Sequence, residues 1–248
     1  MVSGLTTSAA AMDAQTERLA VLANNLANIT AAGFKADHPS FFQLLSSPRA
    51  VGLVSPTDPT APLLTRAAMR ASTDFSAGTL RDTGNTLDVA LEGSGFFVVG
   101  SEEAPRLTRA GAFTRTREGF LAAADGTPVL DARRQPIRLP EAGQLRIEPD
   151  GTISADGAGL GQMLIVEVPD PSTLTREGGV RFVPPATFAF TPSATARVRQ
   201  GTLELSNVNP VLTMVEMIDA LRVYESAQRA ARGADETLGR AINDVGRI

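Results

Sequence analysis

The C-terminal stretch from Asn209 to Val245 restricts the possible folds of this chain more than any other part of its sequence. Pro210 suits a first helical turn and Asn209 suits the N-cap before it, so one long helix is predicted within residues 206–248. At about 1.5 Å per residue, about 35 residues form a helix roughly 50 Å long, which is too long for one small domain to cover. Alternating steps of four and three residues, the spacing of a coiled-coil seam, connect Met217, Leu221, Tyr224, Gln228, Ala231, Asp235, Leu238, Ile242 and Val245.

A second periodic segment lies at the other end of the chain, within residues 1–30. It is predicted to be an amphipathic helix whose alanine-rich apolar side lets another helix approach closely. We therefore expect the two ends of the chain to form one coiled-coil-like helical domain. The same alternation of steps connects Leu5, Ala9, Met12, Thr16, Leu19, Ala23 and Leu26, with Leu22 beside them.

Three asparagines interrupt the good helix formers near the end of this first helix. Asn24, Asn25 and Asn28 have low helix propensity, and two interpretations stay open. They either mark a fraying last turn that Gly33 stops, or their amides bridge to a neighbouring helix and fix its register.

The pattern changes twice between the two helices. Residues 31–74 contain five prolines and no clear period, which predicts an extended arm. Residues 75–205 contain short strand-like runs separated by Asp-Gly and Glu-Gly turns, which predicts a central antiparallel all-β domain of barrel or sandwich type. The fold class is therefore α+β. The runs that we expect to form strands are 87–91, 96–99, 164–168 and 188–190.

Composition excludes several functions. The formal net charge is -4, and the 23 basic residues, all arginine except Lys35, are scattered among acids, so no nucleic-acid partner is expected. The chain has no cysteine and one histidine, His38, which excludes cysteine-based metal sites and histidine-based triads. Neither a cleavable signal nor a membrane-spanning segment is expected from the sequence.

Catalysis is not predicted. Carboxylates such as Glu102, Glu103, Asp150 and Asp156 stand in turn contexts, although a pair of them is what a carbohydrate-acting enzyme would need. The glycine-rich stretches are interpreted as turns because none opens a predicted helix. We expect no catalytic residue, no cofactor, no metal ion and no small-molecule substrate.

Three groups of residues resemble the bacterial flagellar rod and hook proteins, in the right order and over nearly the whole chain. The N-terminal group is 23–30 followed by Gly33-Phe34-Lys35, the central group is 87–99, 107–114 and 125–129, and the C-terminal group is 201–209, 216–218 and 222–225. The chain is most similar to a proximal rod protein, because the segment before Phe75 is short and there is no large extra domain.

The resemblance implies an axial structural subunit of the flagellar basal body, not an enzyme. Such a subunit is exported unfolded by the flagellar type III apparatus without a cleaved signal, and it polymerises through its terminal helices into a torque-transmitting tube across the periplasm. Its partners are further copies and other rod proteins. A distal rod subunit is the alternative, and a periplasmic carbohydrate-acting enzyme is a more remote one.

The residues expected at the assembly interface lie on both terminal helices, where an apolar surplus is available for contacts that build filaments. They are Leu5, Met12, Leu19, Leu22, Asn24, Asn25, Leu26, Asn28, Met214, Met217, Ile218, Leu221, Tyr224, Gln228, Asp235, Leu238 and Ile242.

Overall fold

The computed structural model describes residues 2–46 and 64–245 and divides them into two compact units. The first, here called the helical unit, comprises the described residues of Met1–Leu26, Asp37–Ser72 and Asn209–Ile248. The second, here called the β unit, comprises Ala27–Ala36 and Thr73–Val208. The predicted α+β class is confirmed, with a helix at each end and antiparallel strands between them.

Two long helices dominate the helical unit. Helix α1 spans Val2–Ala27 and helix α2 spans Pro210–Val245. The predicted cap of α2 is present: the side-chain oxygen of Asn209 accepts hydrogen bonds from the backbone N–H groups of Val211 and Leu212, at 3.1 and 3.2 Å. Because these N–H groups have no partner within the helix, the cap fixes where α2 begins.

The segment predicted as an extended arm contains more regular structure than its composition indicates. Strands β1 (Asp37–Ser46) and β2 (Leu64–Thr73) pair with each other in a two-stranded sheet. Pro39 lies inside β1. A proline cannot donate to a ladder but is tolerated in an edge strand, and both strands of a two-stranded sheet are edges.

The β unit consists of short strands in several open sheets. One sheet has five strands in the order β12-β5-β6-β14-β13 and another has three in the order β11-β10-β9, while β15-β4, β16-β3 and β7-β8 are pairs. The strands are β3 (Leu80–Asp82), β4 (Val89–Glu92), β5 (Phe96–Gly100), β6 (Pro105–Thr108), β7 (Phe113–Arg115), β8 (Leu121–Ala123), β9 (Leu145–Ile147), β10 (Thr152–Ala155), β11 (Ala158–Gln162), β12 (Ile165–Val166), β13 (Thr175–Glu177), β14 (Arg181–Val183), β15 (Arg197–Gln200) and β16 (Thr202–Glu204).

The described strands form no closed barrel, which corrects one of the two architectures predicted for this domain. Each strand of the β unit has at most five residues, and the pairing is divided among several separate sheets whose outer strands have a neighbour on one side only. The predicted turns are present. Asp156 and Gly157, with φ of 48° and 84°, join β10 to β11 as the two-residue loop that Asp-Gly favours.

The core of the β unit lies on both sides of strand β5. Phe97 and Val99 belong to one apolar cluster, while Phe96 and Val98 belong to a second one. Successive side chains of a strand point to opposite faces, so the run of four apolar residues at 96–99 marks a strand that is buried on both sides.

The strand predicted at 188–190 is not formed. Pro184, Pro185 and Pro192 flank this segment, and proline lacks the N–H that a ladder requires. The rings of Phe188 and Phe190 instead pack edge to face, 5.0 Å apart, against the second apolar cluster. Their apolar character therefore reflects packing of an irregular segment rather than strand pairing.

Candidate assembly interface

The inward side of helix α2 carries both small and large side chains. Thr213 and Ala220 are buried, and Met217, Tyr224 and Gln228 are half-buried. These positions recur at three- and four-residue intervals, so they form one stripe along the helix. Apart from Met217 and Tyr224, the large apolar residues in the first half of α2 lie on other sides.

Large apolar residues occupy the outward side of α2. Seven of them are exposed by 44 to 71%, all in the first half of the helix. Five share one side by helical spacing and are here called the outer apolar face: Val211, Met214, Val215, Ile218 and Leu221. Apolar surface that is contiguous and rimmed by polar residues marks an interaction site in soluble proteins.

Several predicted interface residues of α2 therefore lie outward. Met214, Ile218 and Leu221 belong to the outer apolar face, and Asp235 is exposed. The side chains of Leu238 and Ile242 lie outside the described residues. Three residues of the predicted seam belong to the inward stripe: Met217, Tyr224 and Gln228. The predicted seam positions are therefore divided between two sides of the helix.

Helix α1 has its larger residues inward. Leu22 is buried and Met12, Leu19 and Leu26 are half-buried, whereas the predicted seam positions Ala9, Thr16 and Ala23 are exposed. The side chain of Leu5 lies outside the described residues. The outward side of α1 thus carries small and acidic residues: Ala9, Ala10, Asp13, Thr16, Glu17, Ala20, Ala23, Asn24 and Ala27.

The asparagines at the end of α1 have different surroundings. The Asn25 side chain is buried, donating to the Asp37 carbonyl at 2.7 Å and accepting from the Asp37 N–H at 2.9 Å. Its amide thus binds the start of β1 in the same chain, which neither interpretation of the sequence anticipated. Asn24 is exposed, and Asn28 lies after the helix in a turn closed by its own carbonyl and the Ala31 N–H at 3.1 Å.

The Gly33-Phe34-Lys35 motif lies inside the β unit. Phe34 and Lys35 are 0 and 1% exposed, and the Gly33 N–H donates to the Glu204 carbonyl at 2.8 Å. The Asn207 side chain accepts from the Ala36 N–H at 2.7 Å and donates to the Asp74 carbonyl at 2.9 Å. Three distant segments therefore meet at one place, here called the junction: 33–36, 74–78 and 204–207.

A buried ion cluster holds the junction together. The Lys35 ammonium lies 2.6 Å from Glu204 Oε1 and donates to the Ser76 carbonyl at 2.6 Å, while an Arg109 nitrogen lies 3.6 Å from Glu204 Oε2. Burial lowers the pKa of Lys35 from its ordinary value, and Glu204 opposes that shift. Burial likewise lowers the pKa of Arg109. Sequence reasoning missed this cluster, although Lys35 is the sole lysine of the chain.

Aromatic rings complete the junction. The Arg176 guanidinium lies over the rings of Phe34 and Phe182, at 4.9 and 5.0 Å from their centres, and donates to the Lys35 carbonyl at 2.6 Å. A cation over a ring face is attracted by the ring quadrupole. The motif that follows α1 in sequence is thus fixed to the core of the β unit by apolar, ionic and hydrogen-bonded contacts.

We expect Gly33→Ala to destabilise the β unit by more than about 2 kcal/mol, because the new side chain would be both strained and crowded. Gly33 has a φ of 67°, and an added Cβ would lie 2.3 Å from the Ala110 backbone nitrogen. Gly84, with a φ of 73° and open space around it, provides the matched control. Gly84→Ala should cost only about 1 kcal/mol of backbone strain. Urea unfolding of both variants measures the difference, and equal losses would contradict the crowding.

The carboxylates considered for catalysis stabilise turns. Asp150 accepts from the Thr152 N–H and hydroxyl, both at 2.9 Å, and Asp156 accepts from the Gln144 N–H at 2.9 Å. The hydrogen bonds from Thr152 lower the pKa of Asp150 below its ordinary value. A general acid needs a raised pKa, so Asp150 is shifted in the wrong direction for that role.

This shift predicts a pH dependence of stability. Because the folded-state pKa of Asp150 is below the unfolded one, its contribution is present above about pH 4 and is lost as the pH falls through the folded-state pKa. The wild-type chain should therefore have a higher Tm than Asp150→Asn at pH 7, and the difference should shrink toward zero at low pH. A constant difference in Tm across that range would contradict the assignment.

Within the part of the chain that the structure describes, no group of three or more metal-ligating side chains is found. Among the described helices, none is long and apolar enough to cross a membrane.

Three family models match separate parts of the chain. A model described as flagella basal body rod protein matches residues 5–35, and one described as flagellar hook protein FlgE/F/G D1 domain matches residues 90–155. A third, described as flagellar basal body rod FlgEFG protein C-terminal, matches residues 199–244. These ranges include most of α1 with the Gly33-Phe34-Lys35 motif, part of the β unit, and nearly all of α2.

Curated relatives match almost the full length. The flagellar basal-body rod protein FlgF of Rhizobium meliloti is 31% identical over 250 residues, covering 99% of each chain. FlgF of Caulobacter vibrioides is 30% identical over 231 residues, with 93% of this chain and 92% of the relative covered. The rod protein FlgG of Agrobacterium fabrum is 31% identical over 257 residues, with 94 and 95% covered. The chain therefore belongs to the family of flagellar basal-body rod proteins.

Proposed function

We propose that the chain is a structural axial subunit of the flagellar basal-body rod, and that it polymerises through its terminal helices into the tube that transmits torque. The observation that carries this proposal is the outer apolar face of α2 in a chain whose relatives are named as rod proteins. Five large apolar side chains exposed on one side of a helix need a partner, and a structural subunit supplies one through its neighbours.

Membership of this family also supports a proposal about the position of the chain in the flagellum, its export and its partners. We propose a position in the proximal rod, spanning the periplasm, after export by the flagellar type III apparatus without a cleaved signal peptide. Other rod and hook components are its partners. The chain acts without catalysis, cofactor, metal ion, nucleic acid, membrane insertion or small-molecule substrate.

The interface we propose combines both terminal helices, in a coiled-coil-like helical domain formed by residues 1–30 and 206–248. Residues 31–74 serve as the arm, and residues 75–205 as the β domain, whose packed core suits a sandwich-like arrangement. The exposed Asp235 faces a helix of a neighbouring subunit or the lumen of the tube, because a seam within one chain would be more stable with an apolar residue there, whereas Gln228, for which the sequence predicts the same position, is half-buried on the inward stripe.

A distal rod subunit is the second candidate, since FlgG of Agrobacterium fabrum matches at 31% identity over nearly its whole length. One experiment tests both positions. Basal bodies are isolated from cells in which an epitope-tagged copy replaces the gene, and gold labelling locates the tag along the rod axis. Label in the part of the rod near the inner membrane supports the proximal position, label near the hook supports the distal one, and no label in the rod contradicts the proposed function.

A further inference from the structure

We infer that the outer apolar face of α2 binds the outward side of α1 from a second copy of this chain, with the two helices antiparallel. This inference rests on the proposed function and specifies which surfaces of two subunits meet. Both surfaces are exposed in the single chain, so each is free to take a partner from another copy.

The sizes of the side chains are complementary. The outer apolar face of α2 presents branched and long side chains, whereas the outward side of α1 presents alanines at positions 20, 23 and 27. Small residues on one helix create the space into which the larger side chains of another helix can pack. Two copies of the α2 face would instead place large side chains against large side chains.

The charges select the same partner. Asp13 and Glu17 are the exposed charged residues on the outward side of α1, and both are acidic. Beyond the outer apolar face, the same side of α2 continues with exposed charges, of which four are basic and two acidic: Arg222, Arg229, Arg232, Arg240, Glu225 and Glu236. Opposite charges across an interface favour the correct partner and fix its register.

The order of these patches along the two helices favours an antiparallel pairing. Along α1 the acidic residues follow alanines at 9 and 10 and precede the longer run of alanines at 20, 23 and 27, and along α2 the apolar residues precede the arginines. An antiparallel arrangement places Asp13 and Glu17 beside the arginines and the longer run of alanines beside the large apolar side chains. The middle of Asp13 and Glu17 lies about 13 Å along α1 from the middle of the alanines at 20, 23 and 27, and the middle of Arg222 and Arg229 lies about 15 Å along α2 from the middle of the outer apolar face, a difference that a flexible arginine side chain can span. Placing Glu17 opposite Arg222 brings Ala20 beside Ile218.

This contact joins two different surfaces, so each copy keeps one free surface of each kind after binding. Contacts of that type continue from copy to copy and do not close into a symmetric dimer. The proposed pairing therefore explains how one chain supplies both halves of a repeated contact.

The absence of native cysteine allows a direct test by disulfide cross-linking. The double variant Ala20→Cys/Ile218→Cys replaces the wild-type gene, and isolated basal bodies are oxidised and separated without reducing agent. We expect covalent dimers and higher multiples, because each copy carries one cysteine of each kind. The matched control is Ala20→Cys/Val223→Cys, since Val223 is similarly exposed but lies on another side of α2, and it should stay monomeric.

A second measurement covers the case in which the cysteines prevent assembly. Glu17→Arg and Arg222→Glu should each reduce the amount of the chain in basal bodies, and the double variant should restore it. Three results would overturn the inference while the proposed function stands. The double-cysteine chain could be incorporated without forming cross-linked multiples, Ile218→Cys alone could form dimers, or the charge swap could fail to restore incorporation. Absence of the wild-type chain from basal bodies would overturn both.

Discussion

Replacing Lys35 by methionine is expected to destabilise the β unit by about 3–5 kcal/mol, because it leaves the Glu204 carboxylate buried without its closest cation. Lys35 and Glu204 are each 1% exposed and 2.6 Å apart, whereas Arg109 is 3.6 Å from the other carboxylate oxygen and only partly compensates. Hydrogen exchange of the β5 and β6 backbone amides in the full-length chain measures the loss, since these strands report on opening of the β unit.

Two controls separate burial from charge. Arg134→Met breaks an ion pair with Glu102 that is 3.8 Å long and about half exposed, so it should cost less than about 1 kcal/mol. Lys35→Met combined with Glu204→Gln removes both charges and should recover a large part of the loss. If Lys35→Met cost no more than Arg134→Met, the junction would not depend on its buried ion cluster.

Replacing Ile218 by glutamate is expected to reduce incorporation of the chain into basal bodies by about 100-fold or more. Ile218 lies in the middle of the outer apolar face and is half exposed, so the change leaves the folded monomer unaffected. In the assembled rod the carboxylate would be buried among apolar groups, which costs at least about 3 kcal/mol when it has no partner. Quantitative immunoblotting of isolated basal bodies measures incorporation, and swimming assays report the consequence.

The neighbouring residue provides the control for this prediction. Asp219 is exposed on another side of α2, so Asp219→Asn should assemble and swim normally. The β5 amides of Ile218→Glu should exchange as slowly as those of the wild-type chain, which shows that the defect is in assembly. Normal rods built from Ile218→Glu would contradict the role of the outer apolar face.

The sequence predicted the helices better than it predicted which of their sides face inward. Apolar and alanine residues stand on more than one side of α1 and α2, so several sets of four- and three-residue steps fit each helix equally well. Ala220, for example, is buried while Leu221 is 44% exposed. Periodicity identifies a helix and its spacing, but the side that packs inward depends on how closely the neighbouring segments approach, which a single sequence does not encode locally.

The junction shows a second limit. Lys35 and Glu204 are 169 residues apart, and no periodic pattern connects them. Composition gave one indication that Lys35 has a special role, because it is the only lysine among 23 basic residues and lies in the Gly33-Phe34-Lys35 motif. The Asp-Gly turns were predictable because their conformation depends on two adjacent residues, whereas the 188–190 segment was mistaken for a strand because its apolar residues pack without pairing.

Electron cryomicroscopy of the isolated basal body, at a resolution that shows side chains, can show directly whether the outer apolar face is a contact between subunits. We expect a helix of a neighbouring subunit in the rod to cover Val211, Met214, Val215, Ile218 and Leu221. An outer apolar face that remains open to solvent or to the lumen in the assembled rod would contradict it.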